Sequence, residues 1–242
     1  MAKRISPDRW KGHAVDVMDV IHSVMEQDKQ DQETRAVLHA LAHSIQERDR
    51  VTYEHSRRVA IYAQRFAHHI GWSRARARDL ALAALVHDLG KTWIANGILN
   101  KTAALSAEER LVMERHPIIG ARILIGCEVK PFYVEAVLHH HEAWNGQGYP
   151  SGLHNSAIPL AARMLTIVDV YDVLTSQRPY KAALSVVEAR ERLLCGSSNS
   201  FDPSLLASFV ELLDQIPNFT LPQHGFSEYK YGIHYSPHLD EF

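Results

Sequence analysis

A helix-like apolar run that ends in adjacent histidine and aspartate constrains the fold more than any other feature of this sequence. The run covers residues 83–86 and is followed by His87, Asp88, a leucine, Gly90 and Lys91. Neighbours on a helix point about 100° apart, so both side chains reach one cavity only where the helix ends and its end faces that cavity. Gly90 is consistent with such an end. The fold must therefore direct one helix end at an internal site.

Other residues of metal-binding type recur along the chain, each in or beside a helix-like apolar pattern. They are His55, His116, the pair His140-His141, and Asp169. With His87 and Asp88 they make five histidines and two carboxylates, the set that a site with two adjacent ions requires. Taken singly, each residue would be interpreted as a surface side chain or a hydrogen-bonded core side chain. Their joint occurrence favours a metal site.

The mixture of imidazole and carboxylate indicates which ions and which chemistry the site suits. These ligands favour iron, manganese, zinc or nickel, whereas magnesium and calcium prefer oxygen ligands alone. The carboxylate of Asp88 has two oxygens and can bridge two ions, which together can hold a hydroxide and clamp a phosphoryl group. Lys91 follows one turn later and can hold a phosphate oxygen or assist a leaving group. We therefore predict catalytic roles for Asp88 and Lys91.

The composition excludes several other classes of protein. The 242 residues can form a sizeable core, with 46% apolar and 22% charged residues. A formal net charge of −2 gives no bulk electrostatic reason to expect a nucleic acid polymer as partner. Cys127 and Cys195 form no CxxC motif and fit a reducing compartment. Because residues 1–13 lack a signal-peptide core and no apolar run approaches roughly 20 residues, we expect a cytoplasmic protein without membrane contact.

Apolar residues at helical spacing predict an all-α fold, a single bundle. Helices are predicted over 34–48, 53–70, 74–89, 106–124, 134–141, 159–175 and 185–196, and from 202 onward. Capping boxes begin the helices at Ser106 and Ser185, and Pro117 predicts a kink within 106–124. Residues 91–102 and 142–158 are predicted loops, and the second is long enough to suggest a functional role.

Both ends of the chain are predicted to lie outside this bundle. Residues 10–25 have a helical apolar pattern, and the nearly all polar residues 26–33 predict a break. This N-terminal helical extension, residues 1–33, either caps the core or serves as a docking helix or a dimerisation helix for a homodimer. The bundle is predicted over 34–216, and residues 217–242 form an irregular C-terminal tail.

Taken in order, the motifs resemble the HD-GYP family, a branch of the HD-domain metal-dependent phosphohydrolases. The matching segments span roughly residues 48–210 and keep the family's order. They are Glu54–Val59, His87–Lys91, His116-Pro117 with Gly120, His140–Glu142, Gly146, Gly148–Pro150, Asp169–Asp172, Thr175-Ser176, Arg178–Lys181 and Phe201–Pro203. A His-Asp pair alone would be weak evidence for this family, but His-His-Glu followed by Gly-Tyr-Pro is highly specific for it.

The resemblance implies an HD-type helical bundle that hydrolyses cyclic di-GMP to the linear dinucleotide or to GMP, with two divalent ions, iron or manganese. It implies one ion held by His55, His87, Asp88 and Asp169, and another held by Asp88, His116, His140 and His141. It assigns substrate contacts to Lys91, Tyr149, Arg178 and Lys181. Arginine and lysine suit phosphate, and a tyrosine in a glycine-rich loop can stack on guanine. The family also implies docking of a diguanylate cyclase or another signalling protein at the Tyr149 loop.

The sequence departs from the family's pattern in three places. Some members hold a third metal with a glutamate where this chain has Val51, so we predict two ions. Asn145 replaces a loop aspartate, and Ala95-Asn96 replaces Pro-Asp, and neither change touches a ligand. Two alternatives therefore stay open: a cyclic di-GMP-binding sensor or scaffold that has little or no turnover, and a hydrolase of another cyclic dinucleotide or nucleotide.

Overall fold

The computed structural model describes residues 17–177, 182–196 and 200–216 of the chain. Its helices are α1 Val17–Arg48, α2 Arg50–His69, α3 Arg74–Val86, α4 Asn96–Leu99, α5 Ala107–Met113, α6 His116–Gly126, α7 Pro131–His139, α8 Leu160–Thr175, α9 Val186–Gly196 and α10 Pro203–Gln215. Two 3₁₀ helices, Leu89–Trp93 and Asn155–Ala157, follow α3 and precede α8. No strand occurs within these ranges, and the predicted all-α fold is confirmed.

An aromatic cluster joins α2, α8 and α10. Tyr62 and Phe66 of α2, Tyr171 of α8 and Phe209 of α10 are all buried. The Tyr62–Tyr171 and Phe66–Phe209 ring centroids are each 5.1 Å apart, with the edges of the rings toward the faces. Aromatic pairs at this spacing stabilise a core beyond the burial of their surface. The cluster therefore holds α2 and α8 together, and each of these helices carries one of the predicted ligands.

Helix α3 lies inside the bundle. Every side chain from Leu80 to Val86 is buried, because this second half of the helix is apolar on all sides and α3 packs against α2 and α7. Even so, none of the described helices combines the length and the apolarity needed to cross a membrane. The burial of α3 carries the residues that follow it into the interior of the protein.

Polar side chains begin several helices, among them the two with predicted capping boxes. Ser73 caps α3 by accepting from the Arg76 N–H, and Asp202 caps α10 by accepting from the N–H groups of residues 204 and 205. The Ser106 hydroxyl accepts from the Glu109 N–H, and the Glu109 carboxylate accepts from the Ser106 N–H, which completes the predicted capping box. Ser185 and Glu188 make the same reciprocal pair before α9.

The predicted break over residues 26–33 is wrong, because α1 is one continuous helix from Val17 to Arg48. Glutamate, glutamine and lysine are good helix formers, so a polar stretch does not by itself end a helix. Lys29 and Glu33 form an (i, i+4) ion pair along this stretch, and Asp31 pairs with Lys130. The predicted tail 217–242 and residues 10–16 of the predicted N-terminal helix lie outside the described residues.

Two further boundaries differ from prediction. The segment 91–102 is not entirely loop, since it contains the end of the first 3₁₀ helix and the short helix α4. The helix predicted over 106–124 is two helices, α5 and α6, rather than one kinked helix. Pro117 lies in the first turn of α6, where its missing N–H leaves no hydrogen bond unmade. The predicted loop over 142–158 is confirmed, apart from the 3₁₀ turn Asn155–Ala157.

Candidate metal centre

The end of α3 brings His87 and Asp88 to one site, as the sequence predicts. The helix ends at Val86, and the two following side chains are each only 1% exposed. The chain then turns into the 3₁₀ helix and passes against α6. A Cβ atom at Gly90 would lie 1.9 Å from the His116 carbonyl oxygen, so this close approach requires glycine.

The structure brings all seven predicted ligands together, from five helices or their ends. Ligand atoms of Asp88, His116, His140 and His141 lie within 4.8 Å of one another, as do those of His55, His87 and Asp88. Asp169 Oδ1 lies 3.0 Å from His55 Nε2. We name His116, His140 and His141 the histidine half, and His55, His87 and Asp169 the carboxylate half. Asp88 belongs to both.

The two oxygens of Asp88 face different halves. Oδ1 lies 3.3 Å from His116 Nε2 and 4.0 Å from His140 Nε2. Oδ2 lies 3.4 Å from His87 Nε2 and 3.9 Å from His55 Nε2. This arrangement suits a carboxylate that bridges two ions, one in each half.

Backbone carbonyls determine which nitrogen of three rings is free to bind an ion. The Nδ1 of His87 donates to the Ala84 carbonyl at 2.6 Å. His116 and His140 make the same contact with the carbonyls of residues 113 and 137, at 2.8 and 2.7 Å. Because each proton is then on Nδ1, each Nε2 carries a lone pair that points into the site.

The Nε2 lone pairs and the Oδ1 atom of Asp88 are placed where they could coordinate a cation. The Nε2 atoms of His116 and His140 lie 3.3 Å apart, and two lone pairs at that distance repel each other unless a cation lies between them. His87 Nε2 and Asp88 Oδ1 are buried and have no hydrogen-bond partner among the described residues. Buried polar atoms without partners are costly, and metal coordination removes that cost. The cluster can therefore bind metal.

Burial and neighbouring charges set protonation states that suit ligation. Burial lowers the pKa of His140 well below its usual range and lowers that of His141 to about 4, so both rings are neutral at pH 7. Burial opposes ionisation of Asp88, but Lys91 and His87 hold its pKa well below the usual range. Burial also opposes charge on His55, yet its hydrogen bonds to two aspartates raise its pKa to about 9. An ion bound at His55 Nε2 would displace that proton.

The loop that carries Tyr149 is fixed directly to the histidine half. The Tyr149 N–H donates to the His141 carbonyl at 3.2 Å, and the two rings stack with centroids 4.9 Å apart and planes inclined by 31°. Burial raises the pKa of the Tyr149 phenol, so the hydroxyl stays protonated. A Cβ atom at Gly148 would lie 2.2 Å from the Ala143 nitrogen. The loop therefore packs closely enough to place Tyr149 beside the site.

Two ligands of the carboxylate half are partly exposed to solvent. The side chains of His55 and Asp169 are each 12% exposed, and that of Lys91 is 25% exposed. Lys91 Nζ donates to Asp88 Oδ2 at 2.7 Å, so its charge lies beside the shared ligand. Of the predicted substrate contacts, Lys91 and Tyr149 adjoin the centre, and Arg178 and Lys181 lie outside the described residues.

Sequence reasoning did not assign roles to three residues that support the site. Glu142 is buried, and its oxygens accept the Ser151 and Leu153 N–H groups at 2.7 and 3.0 Å. Asp172 accepts from His55 and from Arg58. The signal for the last two was spacing: His55 with Arg58, and Asp169 with Asp172, each lie three residues apart and share one helix face.

The positions that depart from the family pattern differ in their local structure. Val51 is 77% exposed near the start of α2. The Asn145 side-chain oxygen accepts the Gln147 N–H at 3.0 Å, so it retains the turn-forming contact available to an aspartate. Ala95 begins α4 without any side-chain cap. Of these three, only Asn145 compensates for its change through a visible contact.

The family described as HD domain matches residues 39–205 of this chain. Among curated proteins, the chain is 39% identical over 170 residues to "Cyclic di-GMP phosphodiesterase PA4108" of Pseudomonas aeruginosa, covering 70% of this chain and 41% of that protein. It is 34% identical over 184 residues to "3'3'-cGAMP-specific phosphodiesterase 2" of Vibrio cholerae, covering 75% of this chain and 35% of the relative. The chain thus spans less than half the length of these two relatives.

Solved structures show the same fold. "Bd1817, a HDG"Y"P protein from Bdellovibrio bacteriovorus" aligns with a TM-score of 0.56 and 20% identity, covering 66% of this chain and 51% of that one. The Vibrio cholerae cyclic GMP-AMP phosphodiesterase V-cGAP3 aligns with a TM-score of 0.56 and 21% identity, covering 76% of this chain and 49% of that one. At these identities the likeness establishes the helical architecture alone.

Proposed function

This chain belongs to the HD domain family, in its HD-GYP branch, and from that premise we propose that it is a metal-dependent phosphodiesterase of cyclic di-GMP. The observation that carries the proposal is the pair of ligand groups that share Asp88. Two groups of this kind suit an in-line phosphoryl displacement between two ions. The relative named as a cyclic di-GMP phosphodiesterase supports the choice of substrate.

We propose two divalent ions, iron or manganese, as cofactors. His55, His87, Asp88 and Asp169 would hold one ion, and Asp88, His116, His140 and His141 would hold the other. When bound, such ions lower the pKa of water and offset the charge of a phosphodiester. The neutral imidazoles of His140 and His141 and the ionised carboxylate of Asp88 suit iron and manganese.

Lys91 and Tyr149 would act directly on the substrate. Lys91 is partly exposed beside Asp88, so its ammonium group can hold a phosphate oxygen or donate a proton to the leaving oxygen. Tyr149 keeps its phenol protonated beside His141 and offers a ring for stacking on a base. Arg178 and Lys181 stay predicted phosphate contacts on the strength of the family motif.

The domain limits and the protein partners also stay predictions. Helix α1 passes without interruption through residue 33, so a separate extension over 1–33 would be continuous with the predicted domain over 34–216. Docking of a diguanylate cyclase at the Tyr149 loop, and a homodimer formed through residues 1–33, rest on the family and on the sequence pattern.

The test is anaerobic purification followed by metal analysis and hydrolysis assays on one sample. Iron(II) and manganese are supplied in turn, and cyclic di-GMP and 3'3'-cGAMP are the substrates, because relatives carry both names. We expect two ions per chain and hydrolysis of cyclic di-GMP. Faster hydrolysis of 3'3'-cGAMP would overturn the choice of substrate. Two ions per chain and tight binding of cyclic di-GMP without hydrolysis would indicate a sensor. Absence of metal would refute the dinuclear centre.

A further inference from the structure

One ring of the centre is oriented by a side chain rather than by the backbone. The Nδ1 of His55 contacts Asp172 Oδ2 at 2.7 Å, across 117 positions of the sequence. His87, His116 and His140 instead donate to carbonyls only three residues earlier. The orientation of His55 therefore depends on the packing of α2 against α8.

Asp172 is itself held in place on every side. It is 1% exposed, and Arg58 donates to both of its oxygens, from Nε to Oδ1 at 2.7 Å and from Nη2 to Oδ2 at 2.9 Å. The Ser176 hydroxyl donates to Oδ2 at 3.1 Å. A bidentate guanidinium pair of this kind is both strong and geometrically specific. The carboxylate therefore cannot turn without losing several buried hydrogen bonds.

A fixed carboxylate behind an imidazole changes how that imidazole binds an ion. It keeps the Nδ1 proton in place, directs the Nε2 lone pair and raises the basicity of the ring. The Nε2 atom of His55 points at the carboxylate half, 3.0 Å from Asp169 Oδ1 and 3.9 Å from Asp88 Oδ2. No contact links Asp172 to His116, His140 or His141 in the described part of the chain.

We propose that Asp172, held by Arg58, is a positioning residue that sets the affinity of the carboxylate half for its ion and leaves the histidine half unaffected. The inference rests on the proposed dinuclear centre. It makes the two ions unequal, because one half has a charged carboxylate behind a ligand and the other is oriented by neutral carbonyls. Loss of Asp172 would release one ion and retain the other.

The test titrates manganese(II) into the metal-free full chain and counts free ion by electron paramagnetic resonance. We expect the natural chain to bind two ions. Asp172→Asn should bind one ion as before and the second about 10- to 100-fold more weakly, the range typical of lost partners behind metal ligands. At saturating manganese, activity should recover to a large extent, because Asp172 does not contact the reacting atoms.

Asp202→Asn is the matched control. Asp202 is buried and pairs with the partly buried Arg163 at 2.6 Å, so its substitution also disrupts an ion pair, but one that includes none of the candidate ligands. Asp202 also caps α10, so the fold of this variant is checked by circular dichroism, and the folded variant should bind both ions like the natural chain. If circular dichroism shows that Asp172→Asn is not folded, Arg58→Lys is used instead. Lysine keeps the positive charge but cannot make the bidentate contact with Asp172. We expect the same selective weakening of one ion.

The outcomes distinguish a failure of the positioning role of Asp172 from a failure of the proposed dinuclear centre. If the natural chain binds no manganese, the dinuclear centre itself is wrong. If the natural chain binds two ions and the folded Asp172 or Arg58 variant binds both with unchanged affinity, the positioning role is wrong. Equal weakening of both ions would also overturn it, since the histidine half makes no contact with Asp172.

Discussion

The two halves of the candidate centre differ in what orients their rings. In the histidine half, His116 and His140 donate to carbonyls of residues 113 and 137, within their own turn. In the carboxylate half, His55 depends on Asp172, which lies on another helix. A contact over three residues forms wherever the local turn forms, whereas a contact over 117 residues needs the whole bundle. The rings of His116 and His140, like that of His87 in the carboxylate half, are therefore oriented locally, whereas the ring of His55 is oriented by the packing of α2 against α8.

The ligands of the centre also differ in access to solvent. His87, His116 and His140 are at most 1% exposed, whereas His141 is half-buried and the side chains of His55 and Asp169 are each 12% exposed. Lys91 lies on the same open side. If the proposed function holds, substrate approaches over the side where His55, Asp169 and Lys91 are partly exposed, and the buried rings of His87, His116 and His140 form the floor of the centre. Substitutions in the two halves should then have separable effects.

Asp88→Ala should have the largest effect, because it removes the one residue that serves both halves. We expect hydrolysis to fall by more than about a thousand-fold, with at most one weakly held ion per chain. Metal analysis after purification, together with the rate of cyclic di-GMP hydrolysis, checks this. A variant that still holds two ions would show that Asp88 does not bridge them.

His55→Ala and His140→Ala should each remove one ion, from opposite halves. His55 lies partly exposed and His140 is fully buried, so the first variant should lose the ion on the open side and keep its fold better. Manganese counting on each variant should give one ion per chain, and the double variant should give none. Loss of both ions from either single variant would mean that the halves are not separable.

Lys91→Ala should retain both ions and lose rate. Lys91 contacts only one ligand, Asp88, so the metal content should stay at that of the natural chain. Loss of a charge positioned for the transition state typically costs about 100- to 1,000-fold in kcat. Single-turnover kinetics on fully loaded protein measures the rate. A changed metal content would make Lys91 part of the metal site rather than a substrate contact.

Gly148→Ala should have a smaller effect, on substrate binding beside the histidine half. The new Cβ would lie 2.2 Å from the Ala143 nitrogen, so the loop that places Tyr149 must shift. Overpacking of this kind costs about 1–3 kcal/mol, and we expect KM to rise about tenfold with both ions retained. Gly97→Ala is the control, since nothing lies within 4 Å of its added Cβ. Equal KM values for the two variants would contradict the fixed loop.

Much of the centre could be predicted from the sequence because its ligands lie within helical patterns. The seven candidate ligands come together as the sequence predicts, and the start signals at Ser106 and Asp202 form the expected caps. The prediction of a break over 26–33 was wrong, because polar residues indicate an exposed stretch and not the end of a helix. The prediction of a kink at Pro117 was wrong, because this proline lies in the first turn of a new helix, where proline is favoured.

The sequence by itself determined the family, the helical class and the local orientation of His87, His116 and His140, since each of these depends on residues close together in the chain. Only the tertiary structure decided that Asp172 orients His55 and that α6 packs on Gly90. The physical reason is the range of the contact. Helical periodicity fixes partners three residues apart, whereas distant partners meet only when an apolar core, here the aromatic cluster between α2, α8 and α10, sets the spacing of helices.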